Sequence, residues 1–141
     1  MQYWDTSALA KLYVVEADAA AFVGVALANP AILTSAITRF EMRCLLSRKC
    51  ALEGAPVEIA TATLGDFERD VARGRISVVA VDQHLNSPME KLLKLCGGRS
   101  PSIALRTMDA IHLSTALSSG ADTIVTTDTR MRTAGKAVGL A

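Results

Sequence analysis

Short apolar segments alternate with helical patterns along the whole chain, and this alternation predicts the fold. Four segments have the length and apolar character of strands: Gln2–Trp4 and residues 31–34, 76–81 and 122–127. Apolar positions at helical spacing predict helices over residues 7–16, 17–28, 35–53, 56–73, 87–97, 107–119 and 129–138. Strands separated by helices require crossover connections, which favour a mostly parallel sheet. The sequence therefore predicts a three-layer α/β/α sandwich in one domain spanning residues 1–141.

Turn and capping residues set the expected helix boundaries. Pro30 ends the second helix, because the residue before a proline disfavours the helical conformation. Ser35 is the expected N-cap of the third helix, and Pro56 is expected at the first position of the fourth. Ser87 and Glu90 have the spacing of a capping box, which predicts a helix start at Ser87.

Composition and charge narrow the function classes. Half of the residues are apolar and 4% are aromatic, so the core is expected to consist mainly of aliphatic side chains. The chain has 15 basic and 14 acidic residues, a net charge of +1, and no bulk field typical of a nucleic-acid or membrane binder. Any polyanion must therefore be met by local basic groups.

Cysteines and hydropathy indicate a cytoplasmic protein without a membrane partner. The three cysteines form no C-x-x-C pair, and neither histidine stands at zinc-ligand spacing from them, so we expect free thiols in a reducing compartment. No secretory leader pattern opens the chain, and no apolar run approaches the ~20 residues that a bilayer crossing needs.

Four acidic residues stand where strands end or helices begin. Asp5 and Asp128 each follow an apolar segment and precede a helix. Asp109 falls in the first turn of its helix, and Glu41 is expected about two turns into the third helix. Ligands of open parallel sheets bind at the carboxyl ends of the strands, where the following helices also start. The four acids are therefore expected to converge at one edge.

A purely structural interpretation competes with this one. Asp5 and Asp128 are good N-cap residues, worth about 1 kcal/mol each, and an acid in a first turn complements the helix dipole. However, neighbouring Ser and Thr residues could cap equally well. Glu41 and Asp109 also have apolar neighbours in sequence, where a solvated acid is less expected. These neighbours are Phe40 and Met42 for Glu41, and Met108, Ala110 and Ile111 for Asp109. Clustered carboxylates repel unless a cation lies among them, and hard oxygen ligands suit Mg²⁺ or Mn²⁺.

Four segments together resemble the PIN-domain ribonucleases, in particular the VapC-type toxins of prokaryotic toxin–antitoxin pairs. The segments are residues 4–13, 34–41, 106–113 and 125–128, in the family's order and spacing. The resemblance implies a PIN-like fold and Mg²⁺- or Mn²⁺-dependent endonucleolytic cleavage of RNA. It also implies a homodimer, a cognate VapB-type antitoxin, and contact with operator DNA only through that antitoxin.

The resemblance also implies roles for individual residues. Asp5, Glu41, Asp109 and Asp128 match the catalytic metal-binding quartet, and Ser7 and Thr126 match hydroxyls that support it. We expect Asp5, Asp109 and Asp128 to hold the ion during phosphodiester hydrolysis, with Glu41 binding a second ion or orienting water. The expected contacts to RNA, or else to the acids themselves, come from five arginines: Arg39, Arg43, Arg106, Arg130 and Arg132.

His112 is expected to be a hydrogen-bonded, semi-buried histidine rather than a general acid or base. Trp4 and Phe40 are expected in the core rather than as base-stacking platforms. Two other classes of function remain open. A receiver-like phosphoryl acceptor would use Asp82 after the third strand, and a non-catalytic module would use the acidic edge to bind a basic partner peptide. A haloacid-dehalogenase type of site would need an acid where the chain has Ser7.

Overall fold

A four-stranded, all-parallel sheet forms the centre of the computed structural model, which describes residues 1–141. The spatial order is β3-β2-β1-β4, so the first strand lies inside the sheet. The strands are β1 (Gln2–Trp4), β2 (Ile32–Ser35), β3 (Ile76–Val79) and β4 (Thr123–Val125). The predicted α/β fold with a parallel sheet is confirmed.

Seven α-helices and one short 3-10 helix surround the sheet. The helices are α1 (Thr6–Ala10), α2 (Ala19–Ala28), α3 (Thr38–Glu53), α4 (Val57–Ala72), α5 (Asn86–Gly97), α6 (Thr107–Ser118) and α7 (Thr129–Ala137), and the 3-10 helix covers Gln83–Leu85. None of them combines the length and apolar character required for a membrane-spanning helix.

Alternating side chains of β1 divide the core into two halves. Tyr3 packs in a cluster with residues of α5, α6 and α7, whereas Trp4 packs with residues of α1, α3 and α4. Both aromatic side chains are fully buried. The register pairs Tyr3 with Ile124 and Trp4 with Val125, so each pair faces the same helical layer. Burial on both faces explains why the strands are apolar without alternation.

A close approach between α7 and β4 fixes one glycine in this packing. A Cβ at Gly135 would lie only 2.9 Å from the side chain of Ile124. A larger residue at this position would therefore force α7 or the Ile124 side chain to shift.

The first helix is shorter than expected. It ends at Ala10 rather than near residue 16, and the chain continues in turns, with the Tyr13 N–H donating to the Ala10 carbonyl at 3.0 Å. The Lys11 ammonium binds Glu16 at 2.5 Å and Asp18 at 2.6 Å. These ion pairs fold the loop back, and α2 starts only at Ala19.

The third helix begins later than expected. Ser35 is the last residue of β2, paired with Val79 of β3, and is not the N-cap of α3. Its hydroxyl still accepts the Ile37 N–H at 3.4 Å. Because α3 starts at Thr38, Glu41 lies in its first turn and not about two turns inside.

Two further boundaries differ from the prediction. Pro56 is the N-cap of α4 rather than its first residue. Helix α5 starts at Asn86, directly after the 3-10 turn, so Pro88 occupies its first turn, where a missing N–H has no helical partner to lose. Asp82 caps the 3-10 turn by accepting the His84 N–H at 2.8 Å.

Candidate active site

Asp5 lies at the carboxyl end of β1 and caps α1. Its Oδ1 accepts the Ala8 N–H at 2.8 Å, and its Oδ2 accepts the Thr126 hydroxyl at 2.7 Å. The Ser7 hydroxyl lies 2.8 and 2.9 Å from the two oxygens. The residue is 3% exposed. Burial raises the pKa of the Asp5 carboxyl, and the hydrogen bonds from Ala8, Thr126 and Ser7 offset only part of that effect.

Asp128 is joined to Asp5 through Thr126. The Thr126 hydroxyl accepts the Asp128 N–H at 3.0 Å while donating to Asp5. Asp128 caps α7, since its Oδ1 accepts the N–H groups of Arg130 and Met131 at 2.7 and 3.0 Å. The structure thus brings these two acids to adjacent strand ends, because β1 and β4 are neighbours in the sheet.

Glu41 is held by a histidine and a threonine. Its Oε2 lies 2.8 Å from His112 Nε2 and accepts a short hydrogen bond from the Thr6 hydroxyl. Burial raises the pKa of Glu41, but the hydrogen bonds from His112 and Thr6 outweigh it and hold the pKa below its usual value. Thr6 is the residue after Asp5 in sequence, so the residue that binds Glu41 is covalently linked to the residue that caps α1.

His112 connects Glu41 to the core through Tyr3. The Tyr3 hydroxyl lies 2.7 Å from His112 Nδ1, and the imidazole is 2% exposed. Burial raises the pKa of Tyr3 far above its ordinary value, so its phenol keeps its proton. An ionised Glu41 can only accept hydrogen bonds, which assigns the imidazole proton to Nε2 and makes Nδ1 the acceptor of the phenol. His112 is thus hydrogen-bonded, as expected, and more deeply buried than expected.

Sequence reasoning did not identify the threonines behind Glu41. Thr6 Oγ1 lies 3.2 Å from Thr38 Oγ1, which lies 2.7 Å from Thr34 Oγ1, and Thr34 donates to the Trp4 carbonyl at 2.8 Å. All three threonines are buried. The available signal was the polar pair Thr34 and Thr38, four residues apart beside a predicted strand.

Asp109 lies in the first turn of α6, as predicted. Its carboxylate makes no hydrogen bond to the other three acids or to the side chains that bind them. Its Oδ2 accepts the Arg106 N–H at 3.3 Å. His112 follows one turn later on the same helix and binds Glu41. No group of three or more His, Cys, Asp or Glu side chains is placed so that together they could hold a metal ion. The acids form two linked centres, Asp5 with Asp128 and Glu41 with His112, and Asp109 stands on the helix of the second.

The donor set nevertheless fits a hard divalent cation. Glu41, Asp109 and Asp128 each have one carboxylate oxygen fixed by hydrogen bonds and one oxygen that accepts none from the protein. Oxygen ligands of this type suit Mg²⁺ or Mn²⁺. The desolvated Asp5 carboxylate adds a negative charge that a nearby cation would stabilise.

The five arginines fall into different environments. Arg39 Nε lies 3.2 Å from Glu68 of α4, and Arg43 lies 3.7 Å from the same carboxylate. Both arginines therefore neutralise the charge of Glu68 and not that of the four acids. Arg132 donates to the Thr126 carbonyl at 3.1 Å. Arg106 and Arg130 are exposed and have no acidic partner.

The argument from apolar sequence neighbours holds only in part. Phe40 is 67% exposed and Met108 41%, whereas Met42 and Ala110, on the other side of each acid, are buried, and Glu41 and Asp109 themselves are half-buried. The prediction of a core position holds for Trp4 and fails for Phe40, since successive helical residues point about 100° apart and adjacency does not imply a shared face.

The environment of Asp82 gives no support to a receiver-like site. Asp82 follows β3, which is an edge strand. It is exposed, and its Oδ1 is bound by the His84 N–H and lies 2.7 Å from the His84 ring. A cap of this kind explains the residue fully.

The chain belongs to the PIN-domain family, because a profile of the PIN domain matches residues 3–137. The chain is also 33% identical over 145 residues to Ribonuclease VapC46 of Mycobacterium tuberculosis, with 99% of this chain and 93% of that protein covered. The resemblance noted in the sequence is confirmed by these two matches.

Two solved structures share the fold. One is a Mycobacterium tuberculosis toxin, VapC20, described as cleaving the sarcin-ricin loop, with a TM-score of 0.66, 19% identity and coverage of 96% of this chain and 95% of the other. The second is VapBC2 from Rickettsia felis bound to a DNA fragment from its promoter, with a TM-score of 0.63, 15% identity and coverage of 94% and 92%. At these identities the two structures support the fold alone.

Proposed function

We propose that this protein is a metal-dependent endoribonuclease and the toxin of a type II toxin–antitoxin pair. The observation that carries the proposal is the PIN-domain match over residues 3–137 in a chain related to a VapC ribonuclease. The positions of the acids support it, since Asp5 and Asp128 follow neighbouring strands while Glu41 and Asp109 lie in first turns of helices.

The ion, Mg²⁺ or Mn²⁺, would be held by Asp5, Asp109 and Asp128, with Glu41 at a second ion or at the attacking water. When bound, such an ion activates water and stabilises the charge that develops on the phosphate. Ser7 and Thr126 hold the Asp5 carboxylate in one orientation through their hydroxyl groups.

The remaining residues of the site act on Glu41. Thr6 and His112 both bind Oε2 of Glu41 and so fix the orientation of its side chain. Oε1 accepts no hydrogen bond from the protein and remains available to water or a cation. Their hydrogen bonds keep Glu41 ionised at neutral pH, and an ionised carboxylate can accept a proton from water or bind a cation. No side-chain nucleophile is required for hydrolysis of this kind.

The proposal includes partners. We infer a cognate VapB-type antitoxin, a homodimer, and contact with operator DNA only through the antitoxin, in the cytoplasm where RNA and antitoxin are present. The relative VapBC2, described as bound to a promoter fragment, supports the antitoxin partner. The chain alone should not shift its promoter DNA in a gel, whereas its complex with the antitoxin should.

Cleavage of RNA by the purified protein tests the activity. We expect cleavage with Mg²⁺ or Mn²⁺, none with EDTA, and at least a hundredfold loss in the variants Asp5→Asn and Asp128→Asn. Asp122→Asn is the matched control, because Asp122 precedes β4 at the opposite edge and is exposed. Equal activity of Asp5→Asn and Asp122→Asn would overturn the assigned site.

Metal binding can be measured without knowing the target RNA. A ligand that binds only the folded state at about 100 times its Kd adds about 2.7 kcal/mol to stability. Mn²⁺ should therefore raise the melting temperature of the wild type and of Asp122→Asn, and much less that of Asp128→Asn. A binding module without catalysis would show neither metal-dependent cleavage nor this difference.

A further inference from the structure

A groove with several polar lining residues lies between the loop that follows α5 and the first turns of α7. We call it the arginine groove and define it by Arg99, Ser100, Ser102, Arg130 and Thr133. Its volume is about 520 Å³. Two arginines and two serines with free hydroxyls therefore line one space, together with Thr133, whose hydroxyl donates to the Thr129 carbonyl at 2.8 Å. Arginine and hydroxyl side chains in combination are typical of sites for oxyanions.

Neither arginine of the groove is neutralised by an acid. Both side chains belong to exposed residues, and neither makes an ion pair. Arg99 is held toward α7 by one contact, from its Nη2 to the Ala137 carbonyl at 3.4 Å. Arg130 and Thr133 stand three residues apart on α7 and so share one face of that helix.

The basic residues without an ion pair are concentrated in the second part of the chain. Six of the eight Lys and Arg residues before residue 80 form ion pairs. None of the seven after residue 90 does so. These seven are Lys91, Lys94, Arg99, Arg106, Arg130, Arg132 and Lys136. Arg99 and Arg130 of the arginine groove belong to this unpaired set, so their charges remain available to an anion.

Both walls of the groove lead to the candidate active site. Arg130 begins one wall and donates its N–H to Asp128 Oδ1 at 2.7 Å. The loop of the other wall continues to Arg106, whose N–H donates to Asp109 Oδ2 at 3.3 Å. A polyanion bound at the acids therefore meets the groove as its next contact on this side.

We propose that the arginine groove binds backbone phosphates of single-stranded RNA next to the phosphate that is cleaved. Arg99 and Arg130 supply charged, forked donors, and the hydroxyls of Ser100 and Ser102 supply neutral ones. Contacts to phosphates hold the strand without selecting its sequence. The proposal rests on the proposed function, since it concerns the path of the same substrate.

The experiment measures RNA binding in EDTA, where cleavage does not interfere, as a function of salt concentration. A fluorescent single-stranded RNA is titrated with wild type, Arg99→Gln, Arg99→Gln/Arg130→Gln and the control Arg73→Gln. Arg73 is also exposed and unpaired, but it lies just before β3, at the opposite edge of the sheet. Thermal unfolding verifies that all variants fold, which is expected because the substituted side chains are exposed.

Loss of one phosphate contact on a single strand lowers the slope of log K against log salt concentration by about 0.7. Between ~50 and ~200 mM salt, the affinity of the double variant should therefore fall about sevenfold less than that of the wild type. Arg99→Gln should show about half of the slope change, on several RNA sequences alike, and Arg73→Gln none. An unchanged slope for Arg99→Gln would overturn the proposal, even if the protein cleaves RNA. A groove-dependent slope without metal-dependent cleavage would refute the proposed function and leave only the binding of RNA phosphates by the groove.

Discussion

Replacing Tyr3 by Phe removes the hydroxyl group that binds His112, the histidine that in turn binds Glu41 of the candidate site. Tyr3 is fully buried, and its hydroxyl lies 2.7 Å from His112 Nδ1. The substitution keeps the ring, which contacts the imidazole edge-on at a centroid distance of 5.8 Å. The change therefore isolates the hydrogen bond from the packing.

The expected cost follows from burial. Without the phenol, His112 Nδ1 is left without this donor at a position that is 2% exposed. A buried polar group left unsatisfied costs about 1–3 kcal/mol. For a domain of this size, each kcal/mol lowers the melting temperature by about 2–4 °C, so Tyr3→Phe should melt several degrees below the wild type.

Tyr13→Phe is the matched control. Its hydroxyl donates to Asp70 at 3.0 Å, and its ring contacts Phe67 edge-on at 5.9 Å. The Asp70 side chain is 25% exposed, so water can replace the lost donor. We expect a cost of about 0.5–1 kcal/mol for this variant. Urea unfolding with unchanged m-values measures both differences on the same scale.

Two results would refute the reasoning. The first is a stability loss for Tyr3→Phe equal to or smaller than that for Tyr13→Phe. The second concerns the tautomer, which nitrogen chemical shifts of His112 report. The wild type should carry its imidazole proton on Nε2, facing Glu41, and a proton on Nδ1 would contradict the assigned direction of the hydrogen bonds.

Three further predictions concern packing and pH. Gly135→Ala should lower the free energy of unfolding by about 1–3 kcal/mol, because the added methyl group overpacks against β4. Gly24→Ala should raise it by up to about 1 kcal/mol, because an added Cβ meets nothing within 4 Å in the helix. Thermal unfolding of the two variants measures both changes. Phe40→Ala should change the free energy of unfolding by less than about 0.5 kcal/mol, against about 3–5 kcal/mol for the buried Phe67→Ala. The folded-state pKa of Glu41 is lowered, so its ionisation stabilises the fold above its ordinary pKa, and this stability is lost as pH falls through the folded pKa. Glu41→Gln should therefore be less stable than the wild type at pH ~7, and urea unfolding should show the difference shrinking below pH ~4.

The fold was predictable because the strands are buried on both faces. Parallel strands of this kind are short apolar runs, and the helices between them leave few alternative topologies. The boundaries were not predictable, because they depend on contacts between distant segments. Ser35 looks like a cap in sequence, but pairing with Val79 keeps it in β2, and the Ala36 N–H donates to the Val79 carbonyl at 2.8 Å.

The acids were predictable from their places at strand ends, whereas their support was not. Asp5 and Asp128 follow strands directly, and the topology of a parallel sheet then places them at one edge. The hydrogen bond from Tyr3 to His112 joins residues that are 109 positions apart, so no local pattern announces it. The exposure of Phe40 likewise depends on how α3 is rotated against the sheet, which its sequence neighbours do not specify.

The two explanations for the acids, helix capping and ligand binding, are compatible because the capping contacts leave part of each carboxylate without a hydrogen bond. In Asp128 and Asp109, one oxygen accepts backbone N–H groups and fixes the side chain, while the second oxygen accepts no hydrogen bond from the protein. In Glu41 the same division is made by Thr6 and His112 on Oε2. A carboxylate offers about four lone-pair directions. In Asp5, the Ala8 N–H and the hydroxyls of Ser7 and Thr126 occupy three of these directions, so about one remains for a ligand. The capping hydrogen bonds thus orient each carboxylate and still leave it able to bind a ligand. Helices that follow parallel strands begin at the carboxyl edge of the sheet, so a capping acid at such a helix start also lies within reach of a ligand at that edge.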